Sequence, residues 1–535
     1  MRTLLGAQRD FHLADEMLME PGAPAEARVV ADESGARLVV GRMTYRVVIV
    51  PPGVTLMANT VRLLREFAQA GGQVLGMEPR PELVDGRISA GLAIPADCRS
   101  VDLDSVLQTL DEVLPFDVHV TGPGVIWSHH RRIDDVDVYF LVNTDLEASG
   151  QASVELRGRG NLEAWAPATG DVQPLAVRQD EDVTAVSLDF PPVGSHLLVR
   201  RAGDACTPHA SRLDRLIAEI PIVGPWQLTL DGPNAIILDR AQVRAGNDGR
   251  WSQPLSILEA HAAIADYGSG APFALRSVFE VSVCPAGPTY LVVEWPNSLE
   301  IEVNGTAVPA SGTSKWWKDI SFRTIDISTV VRAGRNEVII RGVFNKGVEL
   351  ETMYVVGSFG VEIARLGHEN RYNGQVFDRY GASFSLIEPP TQIRSAERRD
   401  GLAVDLTAAG MPFFAGRASL AQEIEIPAMA ERAVVSIGNL RAALAHVWLN
   451  GERLGAAVWP PHEVDVTHQL RKGHNTLGIE LVGTLRNLLG PHHLNKGDLD
   501  GTSPESFHDR VRWTDDHILV PFGFDEVTLR LFAAA

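Results

Sequence analysis

The chain carries one turn-and-strand pattern twice, and this repeat constrains its fold more than any other feature. In each copy an Asn-Gly pair follows a strand of alternating residues, first at Asn304 and then at Asn450. Asn-Gly in this setting is the strongest short-range sign of a β-hairpin, because both central residues of the tight turn need a positive φ. Each copy then reaches a second Asn, Asn336 or Asn475, which opens another strand after a Gly-x turn. The repeat predicts two related antiparallel β domains in tandem.

The spacing inside the two copies is partly fixed and partly variable. A middle strand contains Asp326 in the first copy and Asp465 in the second, and each Asp precedes the second Asn of its copy by ten residues. The two Asn residues of a copy are 32 residues apart in the first and 25 in the second, so seven additional residues lie in one loop of the first copy. Modules of the jelly-roll type commonly bind sugars, so the repeat favours a carbohydrate-related role.

Length, charge and cysteine content exclude several classes of protein. A chain of 535 residues is long enough for about three to five domains of ~100–200 residues each. A net charge of -20 opposes binding to nucleic acid or to an anionic membrane, whereas it does not affect the binding of neutral sugars. Three separated cysteines without a CxxC motif indicate reduced thiols, and no secretory signal or membrane-spanning run is present in the sequence. We therefore expect a cytoplasmic location.

The first 110 residues read as an α/β domain. A short apolar run at 45–50 predicts a buried parallel strand, the spacing of apolar residues over 56–70 predicts a helix, and 73–77 predicts the next strand. A doubly wound sheet normally needs more strands than one strand–helix–strand crossover supplies. We expect a partial flavodoxin-like α/β domain over 1–110, which is either small or has its first strands upstream of Met1.

The rest of the chain has the two-residue period of β-strands, so we expect a mainly β protein. Strands at intervals typical of a sandwich predict an antiparallel β-sandwich over 111–203, followed by a linker at 202–218. The two copies of the repeat then predict two galactose-binding-like jelly rolls, over 219–366 and 367–535.

Two consecutive indoles, Trp316 and Trp317, lie in the longer loop of the first copy, after a Gly/Ser-rich stretch at 311–314. An exposed indole can stack on the apolar face of a sugar ring, whereas a buried one fills volume in a core. Sugar contact, contact with another domain and core packing all fit this position. We name both residues as carbohydrate-binding candidates.

The segment 485–517 is unusually rich in polar residues. We include Asn487, His492 and His493 among the carbohydrate-binding candidates. Carboxylates and amides would suit Ca²⁺ and histidines would suit zinc, but the spacings match neither an EF-hand loop nor a His-Glu-x-x-His helix. We predict no metal ion or cofactor, with Ca²⁺ as the alternative, and a loop that covers one end of the sandwich is the simpler interpretation. The further members of this polar set are Asn495, Asp498, Asp500, His508, Asp509, Asp515, Asp516 and His517.

Catalytic residues cannot be assigned from the sequence. Sugar hydrolysis usually needs two carboxylates a few ångströms apart, and nothing in the sequence pairs the available ones across a cleft. We expect them to be surface or turn charges, and no phosphate-binding loop, nucleophile elbow or dinucleotide fingerprint is present. The carboxylates concerned are Asp134, Asp135, Glu294, Glu349 and Glu351.

Eight segments of the chain carry a family resemblance. They are 10–12, 45–52, 67–75, 139–143, 165–170, 354–361, 412–416 and 485–493. Taken in order, they resemble glycoside hydrolase family 106, whose members are α-L-rhamnosidase-like enzymes. The N-terminal segments are similar to the small α/β domain that follows the catalytic barrel in that family, and the later segments are similar to its downstream β modules. The resemblance extends from about residue 10 to the end of the chain.

The resemblance implies a role without supplying catalytic residues. In that family the acid and the base lie on an N-terminal (β/α)₈ barrel of about 250 residues, and this chain starts where such a barrel would have finished. The resemblance therefore implies the accessory, non-catalytic C-terminal part of a glycoside hydrolase. Its partners would be rhamnose-containing glycans or plant oligosaccharides, together with a chain that carries the barrel. The alternatives are an autonomous carbohydrate-binding protein and a structural module that completes another chain's active site.

Overall fold

The described part of the chain folds into two compact units, Met1–Ser211 and Arg212–Ala535. The structure is a computed structural model. It describes residues 1–33, 35–88, 94–95, 98–203, 215–246, 249–310, 315–370, 376–395, 402–427, 429–497, 501–507 and 511–533. Most of these residues lie in antiparallel sheets, which confirms the expected mainly β class. No helix in these ranges is long and apolar enough to cross a bilayer.

The first unit begins with the predicted strand–helix–strand crossover. Val47–Val50 and Gln73–Gly76 pair in parallel, and helix Ala58–Gln69 connects them. The helix buries Val61, Leu64 and Phe67, which recur at the three- and four-residue spacing of one helical face. This part has three small sheets, one of which contains the crossover strands, and two further helices. Its flavodoxin-like character stays a prediction. The remaining elements are helices Arg2–Gly6 and Val106–Val113 and strands Ala27–Asp32, Gly35–Val40, Met43–Tyr45, Thr55–Leu56, Leu83–Val84, Arg87–Ile88 and Arg99–Ser100.

The first unit continues as a two-layered β-sandwich. Alternating residues face inward, so that Tyr139 and Leu141 are fully buried while Phe140 between them is exposed. Both sheets contribute to one hydrophobic core. One sheet contains Val118–Thr121, Gly150–Arg157, Val183–Phe190 and Arg178–Asp180, and the other contains Ile126–Ile133, Val136–Asn143, Ser195–Arg201, Asn161–Trp165 and Val172–Pro174.

The second unit contains two sandwiches, which we call the first and second sandwich. The first sandwich holds the copy that starts at Asn304, and one hydrophobic core lies between its sheets. One sheet is formed by Asn234–Leu238, Met353–Gly357, Thr289–Glu294, Asp319–Asp326 and Trp316–Trp317. The other is formed by Leu255–Ser256, Arg240–Ala245, Pro272–Val281, Gly334–Val343, Glu300–Val303 and Thr306–Val308, and is extended by Gly360–Asn370, Val376–Ile387 and His517–Leu519. Helices Ile257–Ala265 and Pro296–Ser298 lie within this stretch of the chain.

The second sandwich holds the copy that starts at Asn450, around its own core. One sheet is formed by Arg215–Ile222, Glu526–Ala533, Arg432–Gly438 and Glu463–Asp465. The other is formed by Gln392–Ile393, Trp226–Asp231, Arg417–Ile426, Gly473–Val482, Leu444–Leu449 and Glu452–Ala457. Val404–Asp405 and Gly523–Phe524 form a small separate pair, and helices Arg486–Leu489 and Pro504–Phe507 lie in the connections.

Two strands at the start of the predicted first jelly roll belong to the second sandwich. Arg215–Ile222 pairs with Glu526–Ala533, and Trp226–Asp231 pairs with Arg417–Ile426, so both early strands belong to the sheets of the second sandwich. The predicted ranges 219–366 and 367–535 did not anticipate this, because local periodicity marks a strand without indicating its partner. The chain therefore enters the second sandwich first, builds the first sandwich, and then returns.

The two Asn-Gly pairs form the predicted hairpin turns. Asn304 and Gly305 have φ values of 52° and 82°, and Asn450 and Gly451 have φ values of 53° and 85°. These left-handed values at both central positions are those of the tight hairpin turn, and the flanking strands pair antiparallel in both copies. The expectation of two hairpins is confirmed.

Candidate functional site

The two predicted indoles lie at the edge of a sheet of the first sandwich, in the two-residue strand Trp316–Trp317. Trp316 is 56% exposed and pairs directly opposite Arg323. Trp317 is half-buried, packs against the core of the first sandwich, and meets the ring of Tyr354 edge-on at 5.8 Å between centroids. The structure thus presents one indole to solvent and uses the other for packing. The preceding stretch 311–314 lies outside the described residues.

A third indole, Trp295, joins this surface. It is 52% exposed and has left-handed backbone angles of φ 36° and ψ 57°. Such a conformation costs a bulky residue about 1–3 kcal/mol and is concentrated at functional sites. The guanidinium of Arg323 lies 5.2 Å from the centroid of the Trp295 ring, so Arg323 is flanked by Trp295 and by Trp316. Trp295 was not among the sequence candidates, because backbone strain cannot be read from residue types.

Three of the carboxylates that the sequence could not pair interact electrostatically, and one of them directly precedes Trp295 in the chain. Burial of the carboxyl raises the pKa of Glu294, with further contributions from the negative charges of Glu349 and Asp319. Burial also raises the pKa of Glu351, followed by the charges of Glu294 and Glu349. Glu294 is the last residue of strand Thr289–Glu294 and immediately precedes Trp295 in the chain. We call Trp295, Trp316, Glu294 and Glu351 the indole–carboxylate surface.

The side chain of Glu294 is partly buried. Its Oε2 atom is buried and has no hydrogen-bond partner among the described residues, and the nearby Ser321 hydroxyl donates to Asp319 Oδ1 at 2.7 Å. Lys318 turns away to donate a hydrogen bond to the carbonyl of Ala415, and burial lowers the pKa of its amine. One carboxylate oxygen of Glu294 is therefore a buried acceptor without a partner among the described residues.

The polar candidates of the later segment are buried. Asn487 is 4% exposed and exchanges two hydrogen bonds with the backbone of Val520, at 2.8 and 2.9 Å. His492 is 7% exposed and its Nε2 atom lies 2.9 Å from the carbonyl of Asn487. Burial lowers the pKa of His492 to about 3, so its imidazole is neutral. These bonds are structural, and sugar contact by Asn487, His492 and His493 stays a prediction.

His493 belongs to a cluster with Asp239 and His517 that the sequence did not bring together. The Nε2 atom of His493 lies 2.8 Å from Asp239 Oδ2, and that of His517 lies 3.9 Å from the same oxygen. Burial opposes the charge of Asp239, but the hydrogen bond and charge of His493 outweigh it and hold the pKa of Asp239 below its usual value. Burial likewise opposes the charge of His493, and Asp239 outweighs it and raises the pKa of His493. Burial lowers the pKa of His517.

The remaining sequence candidates lie elsewhere. Asp134 and Asp135 occupy the turn between strands Ile126–Ile133 and Val136–Asn143, which confirms that they are turn charges. Asp498, Asp500, His508, Asp509 and Cys206 lie outside the described residues.

A cleft of about 630 Å³ opens at a different place on the first sandwich. Arg244, Glu300 and Arg341 are among its lining residues. The guanidinium of Arg244 also stacks on Trp251, at 5.0 Å from the ring centroid. This cleft is a second polar surface on which a ligand could be sought.

Comparisons with known proteins return glycoside hydrolases among solved structures. No protein-family model and no curated protein matches the chain. A rhamnosidase from Novosphingobium sp. PP1Y aligns over 95% of this chain and 35% of its own, with 16% identity and a TM-score of 0.43. An α-L-rhamnosidase from Streptomyces avermitilis, complexed with L-rhamnose, aligns over 78% of this chain and 40% of its own, with 14% identity and a TM-score of 0.21. A putative β-galactosidase from Bacteroides fragilis aligns over 49% and 36%, with 12% identity and a TM-score of 0.17.

Proposed function

We propose that this chain is a carbohydrate-binding, accessory part of a glycoside hydrolase of the α-L-rhamnosidase type, and that it binds sugar at the indole–carboxylate surface. The observation that carries the proposal is the pair of exposed indoles, Trp295 and Trp316, on either side of Arg323. The sequence resemblance to family 106 supports the same class of partner. Rhamnose-containing oligosaccharides are the first ligands to test.

The indoles supply the apolar half of a sugar site. The C–H face of a pyranose packs on an exposed aromatic ring, and two rings that flank one cation can hold adjacent sugar units. The left-handed backbone of Trp295 keeps its ring at the surface at a cost in stability, which a ligand contact would explain.

The carboxylates supply the polar half. Sugar hydroxyls are donors as well as acceptors, and an acceptor without a partner beside an aromatic ring is suited to receive one. Glu351 is exposed and offers its carboxylate oxygens to such a donor. Partial burial, followed by the charges of Glu294 and Glu349, raises the pKa of Glu351. A shallow site of this kind predicts a Kd of roughly 0.1–1 mM, or about 4–5.5 kcal/mol.

The test is a calorimetric or NMR titration of the full chain with rhamnose-containing and galactose-containing oligosaccharides. The double variant Trp295→Ala/Trp316→Ala should lose binding and keep the fold, because both side chains are more than half exposed. Trp459→Ala is the matched control: this indole is 43% exposed but lies in the second copy, so binding should be unchanged.

Other outcomes would change the assignment. Loss of binding in Arg244→Ala, with binding retained in the double indole variant, would move the sugar to the cleft. If the wild-type chain binds none of the sugars, the carbohydrate-binding proposal is wrong.

A contact surface for another domain is the second candidate function. Ile320, 64% exposed, lies on the strand next to Trp316 and adds apolar area that a sugar does not need. A catalytic chain that binds wild type but not Trp316→Ala or Ile320→Ser, in the absence of sugar, would favour this function.

A further inference from the structure

We propose that Asp239, His493 and His517 form a binding site for one divalent transition-metal ion, with Zn²⁺ as the best-matched ion. Two imidazole nitrogens and one carboxylate oxygen are a ligand set that Zn²⁺ takes at sites with three protein ligands. The site is independent of the sugar site proposed above, because it uses none of the same residues.

The ligand atoms are already gathered. One atom from each residue lies within 4.8 Å of the others. Ligands at about 2.0–2.1 Å around a tetrahedral Zn²⁺ are roughly 3.3 Å apart. The observed separations of 2.8 Å for His493 and 3.9 Å for His517 from Asp239 Oδ2 bracket that value. Small side-chain rotations are enough to complete the geometry.

Backbone carbonyls fix which nitrogen of each imidazole is available. His493 Nδ1 lies 2.9 Å from the carbonyl of Thr514, and His517 Nδ1 lies 3.1 Å from the carbonyl of Gly381. Carbonyls only accept, so both Nδ1 atoms carry hydrogen. Without an ion, His493 Nε2 donates its proton to the hydrogen bond with Asp239. A binding metal ion displaces this proton to solvent, and both Nε2 atoms can then offer a lone pair to the ion. This is the usual arrangement around a metal-binding histidine, whose other N–H is held by a carbonyl or carboxylate.

One atom of the cluster is unexplained without an ion. An ion pair between His493 and Asp239 would account for the 2.8 Å contact alone. It would leave His517 Nε2 buried, on a residue only 3% exposed, with no hydrogen-bond partner among the described residues. A buried polar atom without a partner costs about 1–3 kcal/mol, so such atoms need an explanation. A metal ion bound to all three residues supplies one.

The surroundings hold the rings in place and leave a route for entry. Trp513 stacks on His493 at 4.4 Å, and Phe413 meets His517 edge-on at 5.5 Å. The side chain of Asp239 is 15% exposed, so the cluster meets solvent at this residue. Asp239 follows a strand of the first sandwich, 254 residues before His493. A bound ion would therefore fasten the 485–517 segment to the first sandwich.

The test uses the full chain, stripped with a chelator and titrated with Zn²⁺ by calorimetry and with Co²⁺ by visible absorption. We expect one ion per chain, a rise in the melting midpoint with Zn²⁺, and tetrahedral d–d absorption bands with Co²⁺. Asp239→Asn, which keeps the side-chain volume, and His517→Gln should each weaken binding by about 100-fold or more. His474→Gln removes a histidine whose side chain is 90% exposed, and should leave binding unchanged.

Circular dichroism of the metal-free variants checks that each one folds. If His517→Gln does not fold, the Zn²⁺ affinity of Asp239→Asn is the measurement that tests the proposal. The proposal is overturned if the folded wild-type chain binds no Zn²⁺, or if both variants bind it as tightly as the wild type.

Discussion

The two Asn-Gly copies share one hydrogen-bond network, atom for atom. Asn304 Nδ2 donates to Asn336 Oδ1 at 2.8 Å, and Asn450 Nδ2 donates to Asn475 Oδ1 at 2.9 Å. The second Asn of each copy then donates to two backbone carbonyls, at 2.7 and 3.0 Å in both. Asn336 and Asn475 are almost completely buried. The paired asparagines therefore tie the hairpin to the following strand in the same way twice.

The copies differ in the segment between the paired asparagines. In the first copy that segment contains the additional strand Trp316–Trp317 with its exposed indole, whereas in the second copy it contains Trp459 and the short strand Glu463–Asp465. The asparagine network holds the hairpin and the following strand together in both copies. The segment between the two asparagines can therefore differ, and in the first copy it carries an exposed indole.

The strongest test of this comparison removes the network from each copy in turn. Asn336→Ala and Asn475→Ala should each lower the free energy of unfolding by about 4 kcal/mol, because several buried polar groups lose their partner at ~1–3 kcal/mol each. Urea unfolding measures both values. If one variant hardly changes the free energy of unfolding while the other lowers it by several kcal/mol, the two networks are not energetically equivalent.

A second test concerns Asp405, a buried carboxylate in the small strand pair of Val404–Asp405 and Gly523–Phe524. Burial, followed by the charge of Asp378, raises the pKa of Asp405 to about 6. The folded chain therefore binds more protons than the unfolded chain between the unfolded pKa and about 6, so this group makes stability fall as pH rises through that window. Asp405→Asn should remove about 3 kcal/mol of this pH dependence.

The measurement is the difference in unfolding free energy between wild type and Asp405→Asn, taken at about pH 4 and about pH 7. Asn can keep the Oδ1 acceptor for the backbone N–H groups of Thr407 and Ala408. A difference that does not change with pH would show that Asp405 is ionised at its ordinary value.

A smaller effect is expected at the turns. Gly305→Ala and Gly451→Ala place a Cβ at φ values of 82° and 85°, where there is open space around both positions. The cost is then backbone strain alone, about 1–2 kcal/mol, and should be equal in the two copies. Thermal unfolding of the two variants side by side checks the equality, and a clear inequality would mean that one turn is held by contacts beyond its own backbone.

The smallest effect sharpens the difference between the copies. Trp316→Ala and Trp459→Ala both remove exposed indoles, so each should change stability by no more than about 0.5 kcal/mol. Only Trp316→Ala should weaken sugar binding. A large drop in melting temperature for Trp316→Ala would show that its ring is part of the core.

What the sequence could predict depended on local chemistry. Asn-Gly specifies its own backbone, so both hairpins were predicted, and the apolar spacing around Phe67 specified a helix. Long-range convergence was out of reach, because nothing near Asp239 indicates His493 or His517. The same holds for Glu294, whose carboxylate neighbours lie on a different segment, and for Trp295, whose backbone is left-handed through its tertiary setting.

The nesting of the first sandwich within the second has a consequence for synthesis on the ribosome. Glu219 and Arg530 form an ion pair across sheet partners that are 311 residues apart in the chain. The main strands of the first sandwich, up to Ile387, emerge while the second still lacks most of its strands, so the nascent first sandwich can close early. Strand Arg215–Ile222 of the second sandwich can pair only after its partner Glu526–Ala533 has been synthesised, near the end of translation. His517 emerges in that same late stretch, so the histidine cluster is assembled among the last parts of the nascent chain.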